Sequence, residues 1–382
     1  MIAGILFGFL PLAIWLYLLL FHHDYWLLRE RDAMPVVMPE IWPSVVAVVP
    51  ARNEADVIQR SIGSLLAQEY PGRFHVVVID DQSEDGTADL ARALGGSQLT
   101  VSTGGPRPPG WTGKLWAMEQ GSHLAASLSP EFVWFTDADI AHSPDNLRQL
   151  VARAQDGNRV LVSLMARLSC KTTAEHFLIP AFVFFFDMLF PFGAVNDPAE
   201  KTAAAAGGCM LARRSALEAA GGIAAIKANI IDDCALGRAM KRQGPIWLGL
   251  TDRAVSLRPY EHLADIRGMV ARSAYAQLGY SPLALAGTML GLALVYIAPV
   301  MTALFGTGVS QLAAYVAWLL MAAQFQPMLR FYRLSPLWGF ALPLIGAFYA
   351  GFTLESAILH WSGKGGMWKG RAQAHDVAGT GA

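Results

Sequence analysis

Charge is what this chain has least of. Asp, Glu, Lys and Arg make up 15% of its 382 residues while hydrophobic residues reach 54%, against about 25% charged in an average soluble domain. A wholly soluble protein is disfavoured, and a polar domain joined to membrane segments is expected. The formal net charge is −1, so no broad basic surface argues for a nucleic-acid partner. Cysteine is scarce too: Cys170, Cys209 and Cys234 are odd in number, widely spaced and outside any metal-ligand pattern. A disulfide framework is excluded, and reduced cysteines fit a cytosolic face. Neither a G-x-G-x-x-G fingerprint nor a phosphate-binding P-loop occurs, which removes the usual signals of nicotinamide enzymes and ATPases.

Long uncharged runs are plentiful. Ile2 to Phe21 carries no charge and is long enough to cross a hydrocarbon core of about 30 Å as a helix. It has no basic start and no small-residue cleavage site, so it reads as a retained anchor (residues 1–23) and not as a removed signal peptide. Leu283 to Phe305, Gly308 to Leu329 and Ser335 to Leu354 are further uncharged runs, giving C-terminal membrane helices over 281–358 and a basic tail over 359–382. Between them, 40–280 reads as the polar domain. Arg29 and Arg31 follow the first run and Arg330 and Arg333 sit between the last two, so the positive-inside rule puts that domain in the cytosol, on a multi-pass protein of the inner (cytoplasmic) membrane. Strict alternation would put the tail outside, whereas Lys364, Lys369 and Arg371 favour the inside, so one C-terminal segment is expected to be re-entrant. Phe177 to Phe186, too short to span and broken by Pro180, Asp187 and Pro191, reads as an interfacial segment (176–195), with core packing the competing reading.

Inside the polar domain, Val45–Val49 and His75–Ile79 are apolar strand-like runs. A helical stripe at Ile58, Ile62, Leu65 and Leu66 follows the first, and Leu90, Ala93 and Leu94 after Gly86-Thr87 follow the second. Strand–helix alternation predicts an α/β fold with a parallel sheet, whose ligands lie beyond the carboxyl ends of the strands. Asn53-Glu54, Asp80-Asp81 and Asp137-Ala138-Asp139 all fall there. Phe132-Val-Trp-Phe-Thr reads as the strand delivering Asp137 and Asp139 to one side by the period of two. A pair of hard carboxylates suits Mg²⁺ or Mn²⁺ held against a diphosphate; a solvated pair capping a helix opened by Ser143-Pro144 is the plainer alternative.

Pro50-Ala-Arg-Asn53-Glu54, Val78-Ile-Asp80-Asp81-Gln-Ser-Glu-Asp-Gly-Thr87, Gly113-Lys114 and Thr136-Asp137-Ala-Asp139 together resemble the family 2 glycosyltransferases of GT-A (Rossmann-like) fold. Trp111-Thr-Gly-Lys114-Leu-Trp-Ala, Ile231-Asp232-Asp233-Cys-Ala-Leu-Gly-Arg238, the flanking spans and Trp368-Lys369-Gly-Arg371 resemble the hopene-associated membrane members. The resemblance implies a nucleotide-sugar donor of the UDP-sugar type, contacted by Pro50, Asn53, Glu54, Asp80, Asp81, Lys114 and Asp137. It further implies a divalent metal (Mn²⁺ or Mg²⁺) on Asp139 and Asp137, and Asp233 as base.

The local chemistry is compatible with these roles. Carboxylates accept from a uracil N–H and ribose hydroxyls, Lys114 can place a compact charge on a diphosphate, and a carboxylate at a helix start can take a proton. An Asx turn at Asp80-Asp81, a solvated Lys114 and plain capping by Asp232-Asp233 remain competing readings. Ala206-Gly207-Gly208-Cys209-Met210 resembles the family's acceptor-side segment, with a tight packing turn as the competing reading. The Gln-x-x-Arg-Trp signature of polymerising relatives is absent. Arg267 and Arg272 in that region read as diphosphate ligands or as interfacial arginines. The expected activity is an inverting, metal-dependent, non-processive transfer of one sugar to a hydroxyl of a membrane lipid. A polyprenyl-phosphate sugar transferase and a non-catalytic nucleotide-binding scaffold are the alternatives.

Overall fold

The computed structural model describes residues 2–368, 371 and 372, and the chain divides into two compact units. One gathers the residues up to Arg29, Cys170–Gly193 and Tyr260–Gly366; the other gathers Glu30–Ser169, Ala194–Pro259 and the described residues from Met367 on. The polar unit thus closes at Pro259, ahead of the boundary expected at 280. Most of the segment expected to be its interfacial part, 176–195, belongs to the other unit.

That other unit is helical. It contains the apolar helix Ile2–Phe21 and three helices long and apolar enough to cross a membrane, Pro282–Phe305, Gly308–Phe331 and Pro336–Trp361. Leu283, Leu290, Leu312 and Leu337 stand exposed on them, as apolar surroundings would favour. Pro180 does not break its segment. The helix runs Thr173–Leu189 through it, opened by a capping box between Thr172 and Glu175. Of the basic tail, Lys369 lies outside the described residues, while Met367–Trp368 and Arg371–Ala372 pair as a short antiparallel ladder.

The polar unit is built on an eight-stranded sheet of order β3-β2-β1-β4-β7-β6-β8-β5. The strands are β1 Val45–Ala51, β2 Phe74–Asp80, β3 Leu99–Thr103, β4 Phe132–Phe135, β5 Ile140–His142, β6 Leu161–Arg167, β7 Met210–Arg213 and β8 Ile246–Ser256. Every residue of β1 is buried, which its unbroken apolar run requires of a strand covered on both faces. β3, β2, β1 and β4 are parallel as expected. Beyond β4 the expectation of a parallel sheet fails, because β7 runs antiparallel to β4 and β6, and β5 antiparallel to β8. An apolar run marks a strand without giving its direction, and β7 is only four residues long.

The helix Gly113–Ser127 lies against this sheet at Gly121. A Cβ there would come within 2.4 Å of Val48 Cγ1 and 3.2 Å of Ile79 Cγ1. Gly121→Ala is therefore expected to destabilise the protein by about 1–3 kcal/mol through overpacking, despite alanine's better helix propensity. A Tm equal to or above wild type by circular dichroism would refute the close approach.

Candidate active site

The register of the parallel strands decides which loops meet. Ala51 lies opposite Asp80, and Val48 opposite Phe135, so the segments leaving β1, β2 and β4 emerge side by side. Pro50 sits buried inside β1 opposite Ile79. Asn53, in the left-handed region at φ 49°, accepts from Glu84 N at 3.0 Å through Oδ1 and donates its own N–H to Ser83 Oγ at 3.0 Å. Glu54 N donates to Thr87 Oγ1 at 2.8 Å. These bonds lace the first two loops together.

The two acids after β2 separate in role. Arg52 donates to the Asp81 carbonyl and lies 3.7 Å from its carboxylate, which commits Asp81 to the fold. Asp80 is 3% exposed. Its Oδ2 accepts from Ser83 N at 3.2 Å, while Oδ1 is buried with no hydrogen-bond partner among the described residues. An acceptor left in that state costs about 1–3 kcal/mol until something donates to it. Asp80 therefore offers a ligand the open oxygen.

β4 ends at Phe135, so Asp137 and Asp139 stand in the turn before β5 and not on the strand itself. Both are partly exposed while Ala138 between them is buried. The helix expected to open at Ser143-Pro144 begins later, at Asn146. Lys114, one residue into the helix Gly113–Ser127, places Nζ 2.8 Å from Asp137 Oδ1 and 3.0 Å from Asp232 Oδ2. One lysine thus joins the Asp-x-Asp turn to the acidic pair at the start of the helix Asp232–Lys241. It is no solvated surface lysine.

Asp232 and Asp233 occupy the first helical positions while Ile231 is the N-cap, so plain capping does not account for them. Asp233 Oδ2 accepts from Gly207 N at 3.0 Å and Oδ1 from Cys234 N at 2.7 Å. A Cβ on Gly207 would sit 3.3 Å from Lys114 Nζ and 3.5 Å from Asp233 Oδ2, so glycine leaves the space in front of both groups clear.

The charges shape each other. Burial lowers the Lys114 pKa, but Asp137 and Asp232 more than offset it and hold the ammonium well above its ordinary value. Asp137 is raised by burial and by Asp139, against the pull of Lys114. Asp233 is pushed up to about 6, by burial first and then by Asp232, with Lys114 and the two N–H groups opposing. A carboxylate titrating there is a better proton acceptor than one held fully ionised at a helix cap.

Sequence reasoning missed Arg258. Its side chain bonds Glu54 and lies 3.2 Å from Asp139 Oδ2 through Nε. The register of β5 with β8 pairs Ile140 with Ser256, and Leu257 N then donates to the Asp139 carbonyl at 2.7 Å, which delivers the next residue to that carboxylate. No local pattern announces this. The arginines singled out instead, Arg267 and Arg272, belong to the helical unit, where Arg267 pairs with Glu355 at 3.5 Å.

Residues 46–221 match the glycosyl transferase family 2 model. That stretch of the chain is similar to family 2 glycosyltransferase domains. Among its relatives are a 4,4'-diaponeurosporenoate glycosyltransferase of Staphylococcus haemolyticus, 31% identical over 122 residues, and the succinoglycan biosynthesis protein ExoU of Rhizobium meliloti, 36% identical over 119 residues. Each match covers 30% of this chain and 30% of the relative, so the chain spans under a third of their length. The solved mannosyltransferase PcManGT from Pyrobaculum calidifontis, in complex with GDP-Man and Mn²⁺, aligns over 92% of this chain and 94% of its own with a TM-score of 0.54 at 20% identity. The fold is GT-A-like.

Whether these residues suit a divalent ion can be read from their charges. Glu54, Asp137, Asp139, Asp232 and Asp233 face only Lys114 and Arg258 in the contacts above, leaving the cluster negative. Among the described residues no three His, Cys, Asp or Glu side chains converge as a metal cage. The hard oxygen donors of Asp139 and Asp137 fit an ion that takes one or two carboxylates and completes its shell from a diphosphate; these two residues would hold it. If Arg258 now fills that place, Arg258→Met should withdraw its charge from Asp139. Added Mn²⁺ should then raise Tm in the variant by about 2–4 °C more than in wild type. Equal shifts in a thermal melt would count against the arrangement.

Proposed function

We propose that this protein is a membrane-attached, inverting glycosyltransferase moving a single sugar from a nucleotide-sugar to a hydroxyl of a membrane lipid, with the catalytic unit on the cytosolic side of the inner membrane. The observation that carries the reading is Lys114, whose ammonium touches both the Asp-x-Asp turn and the Asp232-Asp233 pair. A donor site and a proton acceptor are thereby held within one side chain's reach.

Asp80 Oδ1, buried and unpartnered among the described residues, accepts an N–H of the donor base. Uracil presents one such N–H and guanine several, so the site suits both the UDP-sugar implied by the family resemblance and the GDP-Man bound by the structural neighbour. Lys114 and Arg258 exchange a carboxylate for the diphosphate when the donor arrives, each keeping its charge compensated. A divalent ion on Asp139 and Asp137 supplies further neutralisation of the leaving diphosphate when bound. Asp233 takes the proton of the acceptor hydroxyl, which approaches over Gly207, where no side chain stands. Attack by an acceptor activated from the opposite side in one displacement inverts the anomeric carbon.

Three apolar helices of spanning length and a relative named for a diaponeurosporenoate acceptor support an isoprenoid acceptor, hopanoid-like or linear. The test is to incubate purified protein with labelled UDP- and GDP-sugars, Mn²⁺ and membrane lipid extract. Label moving into the lipid phase supports the reading; label retained in the aqueous phase with every donor sinks it.

A further inference from the structure

Behind the Asp137–Asp139 turn lies a buried polar row that the reaction as proposed does not use. His142 is 6% exposed, with its ring edge-on to Trp134 at 4.6 Å between centroids. Nε2 lies 2.9 Å from Thr136 Oγ1, and Nδ1 lies 3.0 Å from Asn146 Nδ2. Thr136 Oγ1 lies 2.8 Å from the Gly208 carbonyl oxygen.

The far end fixes the direction of every proton. A carbonyl only accepts, so the single hydroxyl proton of Thr136 goes to Gly208. Thr136 must then accept from His142, which places the imidazole proton on Nε2 and leaves Nδ1 to accept from the Asn146 amide. The second amide proton of Asn146 points to Cys209 Sγ at 3.8 Å. This assignment leaves Asn146 Oδ1 empty, and that atom is indeed buried without a partner among the described residues. Turning the amide would satisfy Oδ1, recovering about 1–3 kcal/mol, but would reverse the row and take the proton away from Gly208. Burial pushes the His142 pKa down to about 3, so the row stays neutral.

We propose that His142 is a positioning residue which, through Thr136, ties the Asp137–Asp139 turn to the Gly207-Gly208 segment and so sets the spacing between the donor site and Asp233. The proposal rests on the transferase reading above. Thr136 directly precedes Asp137, and Gly208 directly follows Gly207, whose N–H reaches Asp233 Oδ2 at 3.0 Å. The β4–β7 ladder has its last pair at Phe135 and Met210; the Thr136–Gly208 bond extends the connection one step further, to the residues that carry the chemistry.

Thr136→Val and His142→Phe break the row, while Thr136→Ser and His142→Gln keep a donor and an acceptor in it. With reacting groups displaced by about 1 Å, the breaking variants should lose about 10–100-fold in kcat while the donor KM stays within about threefold. The conservative variants should recover most of that loss. Losing the Gly207 N–H contact raises the Asp233 pKa, so the acid limb of the pH–rate profile should move up; Asp232 and Lys114, the charged groups facing Asp233, are unaltered. The same shift can be read without turnover by carboxyl ¹³C NMR, the Asp233 signal being assigned by its loss in Asp233→Asn. A raised midpoint in a protein that transfers no sugar would support the tie and sink only the transferase reading. Folded Thr136→Val and His142→Phe variants with wild-type kcat and midpoint, or with lowered Tm alone, overturn the proposal.

Discussion

Asp233→Asn is expected to lower sugar transfer by about 10²–10⁴-fold, the range for losing a general base, with donor affinity nearly unchanged. The carboxylate is fixed by the N–H groups of Gly207 and Cys234, whereas the donor is assigned to Asp80, Lys114 and Arg258. In wild type, only the ionised form of Asp233 can take a proton, and its pKa sits at about 6. The rate should therefore rise with pH through that value and fall tenfold per unit below it, and Asp233→Asn should abolish this limb. Initial rates from pH 4.5 to 8, with donor binding measured by calorimetry, check both parts. A variant that turns over normally would remove the base and favour an acceptor already ionised, such as a polyprenyl phosphate.

Lys114→Met should cost about as much, by a different route. The substitution withdraws the cation from Asp137 and Asp232 together and removes a charge that would face the diphosphate. Loss of one such electrostatic contact costs about 10²–10³-fold in kcat. Breaking a buried pair from one side is also destabilising, by about 3–5 kcal/mol in fully buried cases and by less here, since the side chain of Lys114 is 18% exposed. The pH profile separates this variant from a plain loss of donor binding. Lys114 holds the Asp233 pKa down, so without it the acid limb should move to higher pH. A lower rate with an unmoved limb would break the link between donor site and base.

Much of the fold was legible in the sequence. The unbroken run Val45–Val49 reads as a covered strand, the stripe Ile58, Ile62, Leu65 closes a helix on it, and three apolar runs became helices of spanning length, two within about two residues of their expected limits and the third reaching Trp361, beyond the expected Leu354. Asp232-Asp233 at a helix start was legible for the same reason, because a cap signal followed by an apolar stripe is local. Other features were not. Pro180 reads as a break, yet its helix continues. The acids Asp80 and Asp81 are indistinguishable as neighbours in the chain, and only the position of Arg52 shows which one is engaged.

By itself, then, the sequence determined which stretches are apolar on which face, where strands and helices start, and that acids follow the strands of a GT-A-like sheet. Tertiary structure decided the antiparallel half of that sheet, the placing of Arg258 against Glu54 and Asp139, the meeting of Lys114 with both Asp137 and Asp232, and the buried row through His142. Periodicity records how a residue faces its own element, whereas strand register and direction, set by pairing between distant segments, decide what that residue touches.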